Sequence, residues 1–406
     1  MPLQRRNFLR ASLAAAFAGL PGCRRGPEPE VRAPTKTPTD AAPPPSRPAP
    51  EGPPSVLILG GTGFLGPHVV EAARARGYAI TLFNRGKTNP QLFPDVEKLR
   101  GDRNGDLKSI ADAIAGGRRW SAVIDTSGYF PRIVRDSAAL VAPATDQYVF
   151  ISSISVYSSP NPEGVHEGDP VGQIDDPSVE KITETTYGPL KALSEAAAEA
   201  AMPGKTTNVR PGLIVGPGDP TDRFTYWPVR ATRPGPMIAP GGPADPIQFI
   251  DGRDLATWLL ECVAARHYGL YNAVGPASPV GIGDLVDASV RNAAAGAEPV
   301  WIPAEFLMEH EVMPWVHMPA WVPAASEDGG LAKVDSSKAI AAGLTYRGLE
   351  AIVADTLEWW KTLPEERRAK MRAGVSPEKE AEVLAAWAKR GAKGGKAKAA
   401  AKKKAA

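Results

Sequence analysis

Three residues in the middle of the chain have the types and spacing for acid–base chemistry on an alcohol or a ketone. Tyr187 and Lys191 stand four residues apart at the start of an alanine-rich stretch that runs to about Met202, so one helix face would carry both. A tyrosine phenol has a pKa near ~10 in water, and a neighbouring ammonium favours the phenolate. Tyr187 would then accept a proton from a substrate hydroxyl, and the Ser153 hydroxyl, just after the apolar strand pattern 147–151, would orient the same oxygen.

A glycine-rich turn near the start of the apolar part of the chain is typical of dinucleotide-binding sites. The strand pattern 55–59 leads directly into Gly60, Gly63 and Gly66, and a helical pattern follows. Gly60 permits the tight turn, Gly63 lets the backbone approach a pyrophosphate, and Gly66 lets the helix pack against the strand. The helix N-terminus points its free N–H groups at the negative charge. The predicted contacts here are Gly60, Gly63, Phe64, Leu65 and Gly66.

The glycine turn, the strand that ends in serine and the Tyr-x-x-x-Lys spacing occur in an order found in one family. From Ser55 to about Trp360 the chain resembles the extended short-chain dehydrogenase/reductase family, in its NAD-dependent epimerase/dehydratase branch. The resemblance implies that Ser153, Tyr187 and Lys191 form the catalytic set and that hydride passes to or from a nicotinamide ring. It implies a small-molecule substrate, for which we expect a sugar or nucleotide-sugar, although the family also acts on lactones and plant phenolics.

Ile154 and Ser155 occupy the positions where sugar-dehydrating members of the family carry an Asp-Glu pair. Neither side chain can act as a carboxylate acid or base, so dehydration is disfavoured. Reversible oxidation and reduction, alone or within an epimerisation, with tightly bound cofactor, is the expected activity. Two alternatives stay open, namely an NADP-dependent carbonyl reductase with exchangeable cofactor and a catalytically silent protein of this fold that binds nucleic acid or another polyanion.

The end of the second strand pattern, 79–83, favours NADP over NAD as the cofactor. NAD-selective sites place an Asp or Glu there on the ribose hydroxyls, whereas this chain has Asn84, Arg85 and Lys87. Two cations without a carboxylate would accept a 2′-phosphate, and NAD is the alternative. The resemblance adds further cofactor contacts, which are Asp102, Arg103, Thr126 and Ser127, together with Tyr187 and Lys191.

Strand and helix patterns alternate over much of the chain, which predicts an α/β protein with a Rossmann-type, doubly wound parallel sheet. We expect the dinucleotide-binding domain at residues 55–210 and a smaller, irregular substrate-binding portion at 211–362. No metal site is predicted, because no His, Cys and Glu group has ligand spacing. Large aromatic residues of the second portion are expected mostly to fill a small core rather than to stack on a sugar; these are Trp301, Trp315, His317 and Trp321.

The N-terminal 23 residues resemble an export signal. Arg5 and Arg6 precede a mildly apolar run, 11–20, that is too short to span a bilayer and resembles a twin-arginine signal. The run leads to Cys23 in a sequence close to a lipoprotein cleavage box, and lipid attachment at Cys23 is left open. We therefore expect the protein on the periplasmic or cell-envelope side of the membrane. The Pro-rich residues 24–54 are predicted to be a disordered linker.

The net charge of +2 conceals an uneven distribution of charge. Residues 1–23 and 389–406 contain 11 of the 47 Lys and Arg residues and no acidic residue, so the rest of the chain has 36 basic against 45 acidic residues. Residues 363–406 are predicted to be helical at first and then a basic Lys/Ala-rich tail. Such a tail would bind polyanions weakly and without selectivity, and a solvated tail with no partner is the alternative. The oligomeric state is not predicted.

Overall fold

The computed structural model describes residues 53–158 and 163–404, with side chains as far as Arg390. The predicted export signal, Cys23 and almost all of the predicted linker lie outside the described residues. In the part that is described, no helix is long and apolar enough to cross a membrane.

The strands and helices are numbered here in chain order. The strands are β1 (Ser55–Leu59), β2 (Ala79–Asn84), β3 (Glu97–Arg100), β4 (Ala122–Asp125), β5 (Tyr148–Ile151), β6 (Thr206–Pro211), β7 (Ile214–Val215), β8 (Gly235–Pro240), β9 (Pro246–Asp251), β10 (Gly269–Ala273), β11 (Gly275–Gly281) and β12 (Ala297–Ile302). The α-helices are α1 (Leu65–Ala75), α2 (Lys108–Ala115), α3 (Pro131–Val141), α4 (Tyr187–Ala201), α5 (Tyr226–Ala231), α6 (Gly252–Ala265), α7 (Ile282–Ala293), α8 (Ala304–Glu309), α9 (Ser337–Ala341), α10 (Leu349–Lys361), α11 (Glu365–Arg368) and α12 (Pro377–Lys404).

Seven parallel strands form the central sheet, in the spatial order β3-β2-β1-β4-β5-β6-β10. Strand order reverses on either side of β1, which is the arrangement of a doubly wound nucleotide-binding sheet. The predicted fold class is thereby confirmed. Successive residues of β1 point to opposite faces, so Val56 and Ile58 pack on the side of α1 and α6, whereas Leu57 and Leu59 pack on the side of α3 and α4. Burial on both faces explains why the strand is a continuous apolar run.

The central sheet extends beyond the predicted domain boundary at residue 210. Strand β10 pairs in parallel with β6 as the seventh strand, and α6 packs beside α1 on one face. A parallel strand can be added at an edge only through a crossover, and α6 is the helix of that crossover. The segment predicted to bind substrate therefore also completes the nucleotide-binding sheet.

A second, smaller core lies beside the carboxyl ends of the sheet. It is built on a three-stranded sheet in the order β11-β9-β7 and on the parallel pair β12 and β8. Trp321 is fully buried in this core, as expected, while Trp301 and Trp315 are partly buried against it. His317 accepts a hydrogen bond from the Met313 backbone N–H through Nδ1, at 3.0 Å.

Helix α12 continues as far as Lys404, through most of the segment predicted as a tail. Near its start, the Glu380 carboxylate is buried and accepts a hydrogen bond from Arg230 Nε at 2.6 Å. The first turns of α12 are thus packed against the smaller core.

Candidate functional site

A cleft of about 1150 Å³ runs along the carboxyl ends of the parallel strands. Ligands of doubly wound sheets bind at this edge, beside the point where the strand order reverses. All fifteen residues predicted for catalysis or cofactor binding line this one cleft. Residues that follow β7 in the chain also line the cleft, among them Asp219, Arg223 and Trp315.

The glycine turn after β1 has the geometry expected for a pyrophosphate cradle. Gly60 has φ +113°, in the region that favours glycine. A Cβ on Gly66 would lie 2.6 Å from backbone atoms of Gly61, so only glycine lets α1 start this close to the turn. A Cβ position on Gly63 meets nothing within 4 Å. Since Gly63 lines the cleft, the space beside its backbone is open to a ligand.

Asn84, at the position where NAD-selective sites carry an acid, braces the end of β2. Its Nδ2 donates to the Gly60 carbonyl at 3.0 Å, and its Oδ1 accepts from the Gly86 backbone N–H at 2.9 Å and from the Arg100 guanidinium. The amide oxygen is therefore already engaged by two donors.

Three cations surround this end of the cleft. Arg85 is exposed, with Nη1 4.0 Å from Asp102 Oδ2, and Lys87 is exposed as well. Arg100, the last residue of β3, was not identified from the sequence, yet its guanidinium lies against Gly86. The available signal was the parallel pairing of β2 and β3, which brings their carboxyl ends together.

Arg103 has a structural partner that the sequence did not indicate. Its guanidinium forms two hydrogen bonds with the buried Asp125 carboxylate, at 2.5 and 2.7 Å, and a third with Ser137 Oγ at 3.1 Å. Although Arg103 lines the cleft, its charge is neutralised within the protein. The predicted contact of Arg103 with a cofactor stays a prediction, and it would be made by a guanidinium that Asp125 already binds.

Thr126 and Ser127 follow β4 at the floor of the cleft. Both hydroxyls donate to the Leu59 carbonyl, at 3.0 and 3.1 Å. They thus hold the ends of β1 and β4 together beneath the predicted cofactor position.

Ser153 and Tyr187 meet because a serine turn and the start of α4 approach closely. The Tyr187 and Ser153 side chains are hydrogen-bonded. Ser153 Oγ also accepts the Ser155 backbone N–H at 3.1 Å, which fixes the serine rotamer at the start of a single 3₁₀ turn, Ile154–Val156. A Cβ on Gly188 would lie 2.0 Å from the Ser155 carbonyl oxygen, so this approach requires glycine.

Lys191 is buried one helical turn after Tyr187. Its Nζ donates to the backbone carbonyls of Gly128, at 2.7 Å, and Ile151, and it lies 4.3 Å from the centre of the Phe150 ring. Burial lowers the pKa of Lys191 to about 7, although the nearby carboxylates of Asp125 and Glu195 act in the opposite direction.

The electrostatics of Tyr187 differ from the expectation. Burial raises the pKa of the Tyr187 phenol, and the groups that oppose this rise are the Ser153 hydrogen bond and the Arg223 charge. In the protein alone, Arg223 is thus a cation that favours the phenolate of Tyr187, while the expected role of Lys191 stays a prediction. Among the residues that the structure describes, no group of three or more His, Cys, Asp and Glu could hold a metal ion.

Comparison with known proteins gives one family match. The model of the NAD dependent epimerase/dehydratase family matches residues 56–129, which contain the glycine turn and the Thr126 and Ser127 floor.

Two curated relatives have similar sequences. A UDP-glucose 4-epimerase of Erwinia amylovora is 27% identical over 165 residues, which cover 35% of this chain and 46% of the relative. An epimerase family protein of Bos taurus is 27% identical over 238 residues, which cover 55% of this chain and 75% of the relative. The chain thus spans less than half of the length of the first relative.

Solved structures share the fold. The Bordetella bronchiseptica enzyme WbmH, solved in complex with NAD+, superposes with a TM-score of 0.57 at 17% identity, over 77% of this chain and 100% of that one. A human epimerase family protein, solved with NADPH, gives a TM-score of 0.50 at 20% identity, over 75% of this chain and 99% of that one.

Proposed function

We propose that the chain is a member of the extended short-chain dehydrogenase/reductase family and acts as an NAD(P)-dependent oxidoreductase or epimerase on a hydroxyl or ketone of a sugar or nucleotide-sugar, which its similarity to epimerases supports. One observation carries the proposal. A single cleft joins the open glycine turn at Gly63 to the hydrogen-bonded pair of Ser153 and Tyr187, with Lys191 behind them.

The residues of the turn fit a dinucleotide. The space beside Gly63 is open, and a side chain at this position would fill it. The positive φ of Gly60 and the start of α1 at Leu65 complete a cradle for a phosphate group. When bound, a nicotinamide dinucleotide supplies hydride transfer to or from the substrate carbon.

Tyr187 is the proton carrier in this proposal. Its phenol, buried and hydrogen-bonded to Ser153, donates a proton to a ketone oxygen in reduction and accepts the hydroxyl proton in oxidation. The raised pKa of Tyr187 favours the protonated phenol, which suits the reducing direction. Ser153 orients the same substrate oxygen, and Lys191, anchored to two backbone carbonyls, places its positive charge beneath the reacting groups.

NADP is the proposed cofactor, with NAD as the alternative. Asn84 has no free acceptor for ribose hydroxyls because its Oδ1 already accepts two hydrogen bonds. Arg85 and Lys87, which line the cleft, instead offer cations where a 2′-phosphate would lie, and Arg100 adds a positive charge beside Gly86.

Removal of the Tyr187 hydroxyl tests the proposed function. Tyr187→Phe should retain cofactor binding but lower turnover by about 10²–10⁴-fold, the usual contribution of a general acid or base. Turnover is measured with UDP-glucose and UDP-galactose as interconverting substrates, and cofactor binding by fluorescence titration. Tyr268→Phe, outside the cleft, is the matched control. Full turnover in Tyr187→Phe would remove this residue from the mechanism.

A further inference from the structure

In the part of the chain that the structure describes, buried carboxylates are paired with arginine at all but one position. Among residues 53–158 and 163–390, seven Asp or Glu side chains are no more than 9% exposed, and six form an ion pair with arginine. The exception is Asp219, which is 1% exposed. No arginine of the described residues lies within ion-pair distance of Asp219, although the Arg223 charge opposes the rise that burial causes in the Asp219 pKa. A buried carboxylate without a directly bonded cation is costly, so this one needs an explanation. The six pairs are Asp125–Arg103, Glu195–Arg210, Asp222–Arg367, Asp251–Arg253, Asp254–Arg347 and Glu380–Arg230.

The Asp219 carboxylate is held rigidly, with one oxygen unoccupied. Its Oδ1 accepts hydrogen bonds from the backbone N–H and the hydroxyl of Thr221, at 2.8 and 2.7 Å. Its Oδ2 has no hydrogen-bond partner in the described chain. Asp219 lines the cleft, so this oxygen is a fixed, unpaired acceptor on a residue of the cleft wall.

Arg223 and Trp315, which line the same cleft, carry N–H groups without hydrogen-bond partners in the described chain. The Arg223 guanidinium lies 5.5 Å from the centre of the Trp315 ring and donates only from Nε, to Thr221 Oγ1 at 3.2 Å, among the residues described. Trp315 Nε1 is buried and has no partner there either. By contrast, the indole N–H of Trp321 in the neighbouring core donates to Asp245 Oδ2 at 2.9 Å.

This wall lies within electrostatic reach of the proposed proton carrier, because the Arg223 charge lowers the pKa of Tyr187. We infer that Asp219, Arg223 and Trp315 form a subsite that binds the hydroxyl groups of a neutral sugar ring. The inference rests on the proposed function only in that Tyr187 acts on a carbon of the same ring.

The chemistry of the three side chains selects this class of ligand. A hydroxyl group both donates and accepts, so neighbouring sugar hydroxyls can donate to Asp219 Oδ2 and accept from Arg223 and Trp315. The carboxylate and the guanidinium cancel in charge, so the subsite gives no net attraction to an acidic sugar. A ligand without hydroxyls would leave Asp219 Oδ2 buried and unpaired, which disfavours its binding.

Binding measurements on the holoprotein test this subsite. The Tyr187→Phe protein is used as the parent so that turnover during the titration is slow, and it is titrated calorimetrically with UDP-glucose, free glucose and UDP. Asp219→Asn replaces the open acceptor with an amide group, and it should weaken the binding of the sugar probes about tenfold to a hundredfold. Binding of UDP, which has no hexose, should be unchanged.

Two further variants separate recognition from folding. Trp315→Phe keeps an aromatic ring but removes the N–H, and it should also weaken the sugar probes without affecting UDP. Asp245→Asn changes a carboxylate that contacts tryptophan outside the cleft, and it should leave all three titrations unchanged.

The outcomes distinguish the subsite from the proposed function. Any of three results would overturn the subsite. The parent and Asp219→Asn could bind the sugars with equal affinity, the parent could bind no sugar, or UDP-glucuronic acid could bind more tightly than UDP-glucose. Loss of turnover in Tyr187→Phe would still support the proposed chemistry in those cases. Conversely, full turnover in Tyr187→Phe would overturn that chemistry, while sugar binding that depends on Asp219 would still support the subsite.

Discussion

Lys191 shows how one buried residue couples the site to the stability of the fold. No carboxylate oxygen in the described part of the chain lies within 4.0 Å of its Nζ, and backbone carbonyls are its hydrogen-bond acceptors. Burial lowers its pKa to about 7 from the usual 10.5. The folded protein therefore releases this proton at a lower pH than the unfolded chain.

The pKa shift of Lys191 predicts a pH-dependent stability. Between pH 7 and 10.5 the unfolded state binds more protons than the folded state, so the free energy of unfolding rises with pH across this window. Below pH 7 the full cost of burying the charge remains. Lys191→Met removes this cost and should be stabilised relative to the parent by a few kcal/mol at pH 6, with the difference shrinking as the pH approaches 10.

Urea unfolding of the cofactor-free proteins at several pH values measures this difference. The same substitution at Lys108, whose side chain is 79% exposed, is the matched control. A stability difference between Lys191→Met and the parent that stays constant from pH 6 to 10 would contradict the prediction.

At the scale of secondary structure, the junction of α4 with the serine turn positions the reacting groups. Helix α4 begins at Tyr187, and its second residue, Gly188, faces the Ser155 carbonyl with no space for a side chain. Backbone atoms form both sides of this contact, so neither side can move away by changing a rotamer.

Gly188→Ala should therefore separate the serine turn from α4. We expect a destabilisation of about 1–3 kcal/mol, typical of overpacking, although alanine is otherwise the better helix former. The loss of the Ser153 and Tyr187 contact should also lower turnover at least tenfold. Gly348→Ala is the control, because a Cβ there meets nothing within 4 Å. Wild-type stability and turnover in Gly188→Ala would show that the junction accommodates a methyl group, and this result would contradict the prediction.

At the scale of the whole molecule, the cleft and the N-terminal segment raise one question, which is how an exported protein would obtain its cofactor. A dinucleotide is made in the cytoplasm. We propose that the protein is exported in a folded state with the cofactor already bound. Outside the cytoplasm no pool would replace that cofactor, so the reaction would have to restore its redox state, as epimerisation does.

Arg132 of α3 contacts Glu180 at 2.7 and 2.9 Å and Asn104 at 2.6 Å, and these contacts hold together three segments around the cleft.

Protein purified from the cell envelope should accordingly release a dinucleotide only on denaturation, and the released compound should be NADP. Mass spectrometry of the supernatant before and after acid treatment identifies it. Addition of substrate to the native protein should shift the cofactor absorbance between oxidised and reduced forms. Empty protein that needs added cofactor, or cytoplasmic protein with an intact N-terminus, would contradict this coupling of export to mechanism.

The sequence by itself determined the local parts of the site. The bounds of β1 and the first residue of α4 were predicted to the residue, because apolar runs, glycines and helix starts are set by neighbours in the chain. The predicted site residues converge on one cleft because right-handed crossovers place the carboxyl ends of parallel strands at one edge.

Only the tertiary structure decided which polar groups are left open for a ligand. The charge of Arg103 is neutralised by Asp125, 22 residues away. Arg100, at the end of β3, donates a hydrogen bond to Asn84 at the end of the neighbouring strand β2. Arg223 lies against Trp315, which is 92 residues further along the chain. No local pattern reports such pairings, because the energy of a charge or a polar group depends on the neighbours that distant segments bring to it. For the same reason, the unpaired acceptor of Asp219 is recognised only in the structure, where the other buried carboxylates of the described residues are all paired with arginine.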